Sequence, residues 1–349
     1  MVNKCVDVLV GMQFGSEGKG KIVGYLAHEY QAAIRVGAPN AGHTVYFHGE
    51  AYKMRSIPCL WINPNARLYI GAGGMVNVHV LMKEIVDLQQ RGVSVKDMLK
   101  IDHQCNVVTD ADAHQEEKGG MFEHNGSTTE GVGVAQARKV LRRDAVLAEQ
   151  VPELQPYLAH VAELVNLEID AGTRIVIEGT QGFGLSLNHA CYPYVTSRDV
   201  LASSMLSDSG LSPHVVRHVI GVFRTYPIRV AGNSGPLKNE LTWEDVGTLS
   251  GYGDKLVPER TTVTKRIRRV GNMDWDLMAQ AVKANRPDYL AMTFADYIDC
   301  HDAGCRKWGD LGQKTKSFIA IAEKRLGVPI SIISTGPKNE DTVDIRRKD

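Results

Sequence analysis

Gly11 to Lys21 reads G-M-Q-F-G-S-E-G-K-G-K. An apolar run, Val6 to Val10, precedes it with the pattern of a buried strand, and Ile22 to Tyr30 follows with helical spacing. Strand, glycine loop and helix is the geometry that aims backbone N–H groups and a helix N-terminus at a phosphate. Gly15, Gly18 and Gly20 allow close approach, and Lys19 and Lys21 supply positive charge. The spacing is neither G-x-x-x-x-G-K-[ST] nor G-x-G-x-x-G. On residues alone a phosphate loop and a glycine-rich turn with solvated lysines both stand.

Downstream, strands and helices alternate. Strands are predicted at Ala32 to Val36, Arg67 to Ile70, Lys100-Ile101, Arg174 to Ile177, Val215 to Phe223, Tyr289 to Thr293 and Ile330 to Ser334. Helices are predicted over Val76 to Gln90, Val134 to Ala148, Leu154 to Ile169, Trp275 to Lys283 and Gln313 to Leu326, with a mobile loop over Ala113 to Gly126. Such alternation predicts an α/β fold: a mostly parallel sheet flanked by helices, ligand loops at one edge. No repeat or linker divides residues 1–349, so one domain is expected.

The chain has 349 residues, 43% hydrophobic and 23% charged, with 40 basic and 40 acidic side chains. That suits a large packed core and gives no net field for nucleic acid or an anionic membrane. No apolar run spans a bilayer, and M-V-N-K-C-V-D-V does not read as a signal peptide, which predicts a cytoplasmic protein. Six scattered cysteines form no C-x-x-C pair, which argues for reduced thiols without zinc.

Several loops carry candidate chemistry. N-A-G-H-T, Asn40 to Thr44, places His43 between a glycine and a threonine, as an acid or base or as a plain solvent-facing or core-satisfied histidine. S-T-T-E-G-V-G, Ser127 to Gly133, could bind an anion or simply turn. E-G-T-Q-G, Glu178 to Gly182, closes a strand where ligands gather in open α/β sheets. Arg260 to Arg269 holds five basic residues without interleaved aromatics, which fits a small polyanion better than nucleic acid.

Taken in order, these loops resemble the adenylosuccinate synthetase family from end to end. N-A-G-H-T, E-G-T-Q-G, Y-P-Y-V-T-S (Tyr192 to Ser197), T-V-T-K-R-I-R-R-V-G (Thr262 to Gly271) and I-I-S-T-G-P (Ile332 to Pro337) carry the resemblance. It implies a ligase that phosphorylates the 6-oxygen of a purine nucleotide and lets L-aspartate displace the phosphate, using Mg²⁺ and a nucleoside triphosphate. By resemblance, Gly15, Ser16, Glu17, Gly18, Lys19, Gly20, Gly42, His43, Thr44, Arg268, Asp296, Gly336 and Pro337 hold the triphosphate. Ser16, Asn40, Thr128, Thr129, Gln181, Thr196 and Arg266 hold the purine nucleotide, joined by Arg142 from a neighbouring subunit of a homodimer. Thr264 and Arg266 hold aspartate, Ser16 and the Gly42 carbonyl ligate the metal, and Ser16, Lys19, His43 and Gln181 are catalytic, His43 as general acid.

Two departures matter. The family's aspartate before E-G-K-G-K is Ser16, which cannot act as an ionised base near neutral pH. Serine also leaves room for the 2-amino group of guanine. This feature resembles the phage-type 2-aminoadenylosuccinate synthetases, which act on dGMP on the route to 2-aminoadenine in DNA, and whose setting would be the host cytoplasm. In T-F-A-D, Thr293 to Asp296, Phe294 replaces a lysine found in bacterial members, which favours ATP or dATP over GTP as donor. An ordinary synthetase using IMP and GTP, and an inactive purine-nucleotide-binding protein, are the alternatives.

Overall fold

The computed structural model describes residues 3–261 and 265–346. Its centre is a sheet of ten strands among these residues. In chain order they are β1 (Val6–Gly11), β2 (Ala32–Val36), β3 (Arg67–Ile70), β4 (Leu99–Asp102), β5 (Leu158–Ala159), β6 (Ile175–Gly179), β7 (Val216–Arg224), β8 (Tyr289–Thr293), β9 (Ile330–Ser334) and β10 (Thr342–Asp344). They lie side by side as β10-β9-β8-β7-β1-β6-β2-β3-β4-β5. All neighbours are parallel except β10, which runs antiparallel to β9.

Successive side chains on a strand point to opposite faces, so strands covered on both sides are apolar throughout. Val6, Val8 and Val10 of β1 enter one core, and Leu9 enters the other. The first core is closed by α6 (Val161–Asp170), α7 (Ala202–Ser209), α8 (Trp275–Asn285) and α9 (Gln313–Leu326). The second is closed by α1 (Lys19–Tyr25), α2 (Val78–Gln90) and the buried Leu60-Trp61 pair.

Parallel strands put all their C-terminal ends on one edge. The loops after β1, β2, β6, β7, β8 and β9 therefore converge, and they contain most of the motifs singled out above.

Four expectations need correction. Ala113 to Gly126 is not a loop: it holds most of α3 (Asp110–Lys118) and α4 (Met121–Asn125). The helix expected from Val134 to Ala148 is α5 (Val132–Leu141), stopped by Arg142 in the left-handed region (φ 54°). The helix expected from Leu154 begins only at Val161, because Pro152 and Pro156 hold the preceding chain in a 3₁₀ turn. The first helix changes to 3₁₀ form after Tyr25.

Candidate active site

The glycine loop is closed by its own carboxylate. Glu17 is fully buried, and its Oε1 accepts the backbone N–H of Gln13 (3.1 Å) and Gly15 (2.8 Å). Its Oε2 accepts Lys19 Nζ at 2.6 Å, and Lys19 also donates to the Gln181 carbonyl at 2.5 Å. A Cβ on Gly182 would lie 2.2 Å from Glu17 Oε1, so glycine is required there. Two N–H groups of the loop thus face Glu17, whose side chain clamps the loop from within. Lys19 still lines the cavity, with its charge balanced. Lys21 is corrected: it donates to Ser334 Oγ, the Gly336 carbonyl and the Asp341 carbonyl at 2.5 to 2.6 Å, tying α1 to the chain after β9. Gln13 exchanges two hydrogen bonds with the backbone of Arg224, pinning the loop to the end of β7.

Beside the loop stands a buried acid–base group. His43 opens a hairpin strand (His43–Phe47) after β2, and Glu178 lies on β6 directly opposite Arg35 of β2. His43 Nδ1 is 2.5 Å from Glu178 Oε1, Arg35 Nη1 is 2.8 Å from the same oxygen, and Cys59 N–H donates to Oε2 at 2.6 Å. Burial favours a neutral Glu178, but Arg35 and the His43 hydrogen bond outweigh it and hold the carboxyl below its usual range. Burial and Arg35 push the His43 pKa down to about 4, against the pull of Glu178. The ring is therefore neutral at pH 7, with its Nδ1 proton on Glu178 and Nε2 left for a ligand. Cys59 Sγ, a His43 ring nitrogen and a Glu178 oxygen lie within 4.8 Å of one another. The Arg35 guanidinium on that carboxylate makes the group a poor cation site.

The glycine loop and His43 border a cavity of about 440 Å³. Of the expected residues, Gly15, Ser16, Lys19, Asn40, Gly42, His43, Thr128, Gln181, Thr196, Arg266 and Arg268 line it. Ser16 is exposed to it, in the left-handed region at φ 57°. Gln181 Nε2 reaches Asn40 Oδ1 at 3.3 Å. Burial lowers the Arg268 pKa, and its Nε has no hydrogen-bond partner. Gly18, Gly20, Thr44, Thr129, Asp296, Gly336 and Pro337 do not line the cavity, and neither does Arg142 at the far end of α5. Gly20 instead packs on His43, where a Cβ would sit 2.9 Å from the His43 Cβ. Thr264 lies outside the described residues.

Asp296 belongs to a neighbouring group on the other side of the loop. Its Oδ2 accepts Tyr252 O–H at 3.1 Å, and burial raises its pKa to about 6. Phe294, also left-handed, lays its ring 3.9 Å from the Arg224 guanidinium, which pairs with Glu259. Sequence reading missed Arg35, Arg224 and Arg229. Arg35 and Arg224 are charges near the end of apolar runs, A-A-I-R-V and V-I-G-V-F-R, which is a signal; Arg229, in the two-residue strand Ile228–Arg229, gives none. Arg229 stacks on Phe14, and Arg266 on Phe122, at 4.0 and 4.1 Å. Both pairs line the cavity.

The family model for adenylosuccinate synthetase matches residues 8–151 and 145–303. The chain belongs to the adenylosuccinate synthetase family. As a synthetase of this family it is a nucleotide-binding ligase that forms a C–N bond. It is 39% identical to the adenylosuccinate synthetase of Pyrococcus horikoshii over 343 residues, covering 97% of this chain and 98% of that one. It is 40% identical to that of Methanococcus vannielii over 348 residues, covering 98% and 99%. Its fold matches the fully ligated Plasmodium falciparum synthetase with a TM-score of 0.85 at 22% identity, over 98% and 100% of the two chains. The synthetase also matches the cyanophage S-2L succinoaminodeoxyadenylate synthetase (PurZ), solved bound to dGMP and to dATP as an energy donor. There the TM-score is 0.82 at 30% identity, over 98% and 96%. Among the described residues no helix is long and apolar enough to cross a membrane.

Proposed function

We propose that this synthetase joins L-aspartate to the 6-position of dGMP, with ATP or dATP as phosphoryl donor. The γ-phosphoryl group passes to the 6-oxygen, and the aspartate amino group then displaces phosphate. The products are 2-amino-2′-deoxyadenylosuccinate, nucleoside diphosphate and phosphate. The observation that carries the reading is Ser16, which puts a small hydroxyl on the cavity wall where the family resemblance places a carboxylate. Its Oγ can accept a hydrogen bond from the guanine 2-amino group, and its size leaves room for that group. The likeness to a cyanophage enzyme bound to dGMP and dATP supports the same reading.

In this scheme His43 Nε2 meets the 6-oxygen. Glu178 favours the imidazolium, while burial and Arg35 oppose it. Incoming phosphates add the negative charge that tips the balance toward a proton donor. Gln181 and Asn40, already hydrogen-bonded to each other, orient the purine, with Thr128 and Thr196 on the cavity wall around the nucleotide and Thr129 in the same turn as Thr128. Lys19, Arg268, Gly336, Pro337 and the loop glycines serve the triphosphate, and Asp296 its base, from the adjoining group. Thr264 and Arg266 take aspartate. Gly42 and Ser16 offer a carbonyl and a hydroxyl to the cavity, and the oxygens of Glu17 are already engaged. That donor set fits Mg²⁺ held mainly by phosphate oxygens. Bound there, it would offset charge on the transferring phosphoryl group.

Arg142 is exposed at the end of a ten-residue helix whose other end meets the cavity. That is about 15 Å, too far for its own site. Val140 and Leu141 beside it are 65% and 70% exposed, as expected of a face covered in a homodimer.

The 39–40% identity to ordinary synthetases favours a second reading, IMP with GTP. Phosphate release measured with dGMP or IMP, each with ATP, dATP or GTP and with aspartate, tests the proposal. Activity on dGMP with an adenine donor is expected. A preference for IMP overturns it.

A further inference from the structure

α3 carries a buried carboxylate that points into the turn between α4 and α5. Glu116 is 4% exposed, and it borders the cavity. Its Oε2 accepts the Gly131 N–H at 2.9 Å and the Ser127 hydroxyl at 3.4 Å, and its Oε1 accepts the Gly133 N–H at 2.7 Å. Ser127 Oγ in turn accepts the Thr129 N–H at 3.1 Å. The fit is close: a Cβ on Gly133 would meet Glu116 Oε1 at 3.0 Å, and one on Gly131 the Ala113 nitrogen at 2.5 Å. α3 is itself fixed, by the Thr109–Asp112 capping box and by Asp112 pairing with Arg138 of α5 at 2.7 Å.

We propose that Glu116 is a positioning residue for the purine-monophosphate substrate. It takes up the Gly131 and Gly133 N–H groups at the start of α5 and sets the turn so that Thr128 faces the cavity. This rests on the proposed assignment of Thr128 and Thr129 to that substrate. With a protein carboxylate already on the Gly131 and Gly133 N–H groups, the substrate phosphate binds to the turn's hydroxyls and to cations.

The test is calorimetric binding of dGMP, IMP and ATP to Glu116→Gln, with steady-state kinetics. The amide keeps the size of the side chain but presents N–H groups where the turn needs an acceptor. The expected result is a KM and Kd for the monophosphate raised at least 10-fold, with kcat and ATP binding within threefold of wild type. Glu116→Asp should recover part of the loss. Should Glu116→Gln fail to fold, Ser127→Ala removes the link to Thr129 and should show a smaller change in the same direction. Unchanged or tighter monophosphate binding overturns the proposal, and so does equal loss of both nucleotides. If the wild type takes IMP over dGMP, the proposed function fails, and Glu116 is then judged on IMP.

Discussion

His43 Nδ1 lies 2.5 Å from Glu178 Oε1, and both side chains are buried, His43 in the wall of the cavity and Glu178 behind it. This contact fixes the ring and its tautomer. His43→Asn leaves the Glu178–Arg35 pair intact. It should keep nucleotide binding while kcat falls by about two to four powers of ten, the usual worth of a general acid. Glu178→Gln should also lower turnover. It leaves Arg35 buried without its counter-ion, a cost of about 3–5 kcal/mol that thermal unfolding will register. A kcat for His43→Asn within threefold of wild type removes His43 from the chemistry.

The burial of His43 beside Arg35 sets a pH dependence, against the pull of Glu178. The His43 pKa falls from 6.5 in a free side chain to about 4 in the fold. Between those values the unfolded chain binds more protons, so stability rises with pH across that window. The contribution is complete above pH 6.5 and is lost as pH falls from there through 4. Imidazole NMR titration should place the free-enzyme pKa near 4, with an upward move when nucleotide and triphosphate bind. A pKa near 6.5 in the free enzyme would contradict the burial and Arg35 argument.

Much of this was legible in the sequence, and each exception has a physical cause. The sheet strands are apolar runs between turn residues, so periodicity finds them. α3 reads D-A-D-A-H-Q-E-E-K and buries Asp112 and Glu116 in place of apolar side chains. Hydrophobic spacing cannot see a helix whose buried face is carboxylate. The Glu17 clamp was hidden for a related reason. A glycine loop with two lysines has the composition of an open phosphate site, but composition does not say that its own glutamate takes up the N–H groups. The Arg35–Glu178 pair depends on strand order: β2 and β6 are adjacent in the sheet but lie 143 residues apart in the chain.

Arg142→Leu should weaken binding of the monophosphate by about 1.5–3 kcal/mol, the worth of a hydrogen bond to a charged group. The subunit fold should be unchanged, since the side chain is exposed. Mixing Arg142→Leu subunits with His43→Asn subunits should restore activity, because each hybrid dimer would hold one intact site. Hybrids that form without regaining activity would show that the site is not shared.

Ser16 carries the substrate proposal, and its backbone makes the decisive variant feasible. At φ 57° it sits where aspartate is tolerated better than most residues, so Ser16→Asp should fold as wild type does. The change puts a longer, charged side chain on the cavity wall where the proposal places the guanine 2-amino group. An aspartate there collides with that group or is forced aside. With a substrate that has only hydrogen at the 2-position, the carboxylate has room beside the ring nitrogen and can take its proton. A site built to pair a donor discriminates by about 10⁴–10⁵ against an analogue lacking it, although a single exposed hydroxyl will achieve less. We therefore expect Ser16→Asp to lose most of its kcat/KM on dGMP and to gain measurable turnover on IMP. The comparison is kcat/KM for both nucleotides, wild type and variant, at saturating ATP, Mg²⁺ and aspartate. A variant that handles dGMP as well as wild type would show that the 2-amino group lies elsewhere, and the dGMP reading would fall with it.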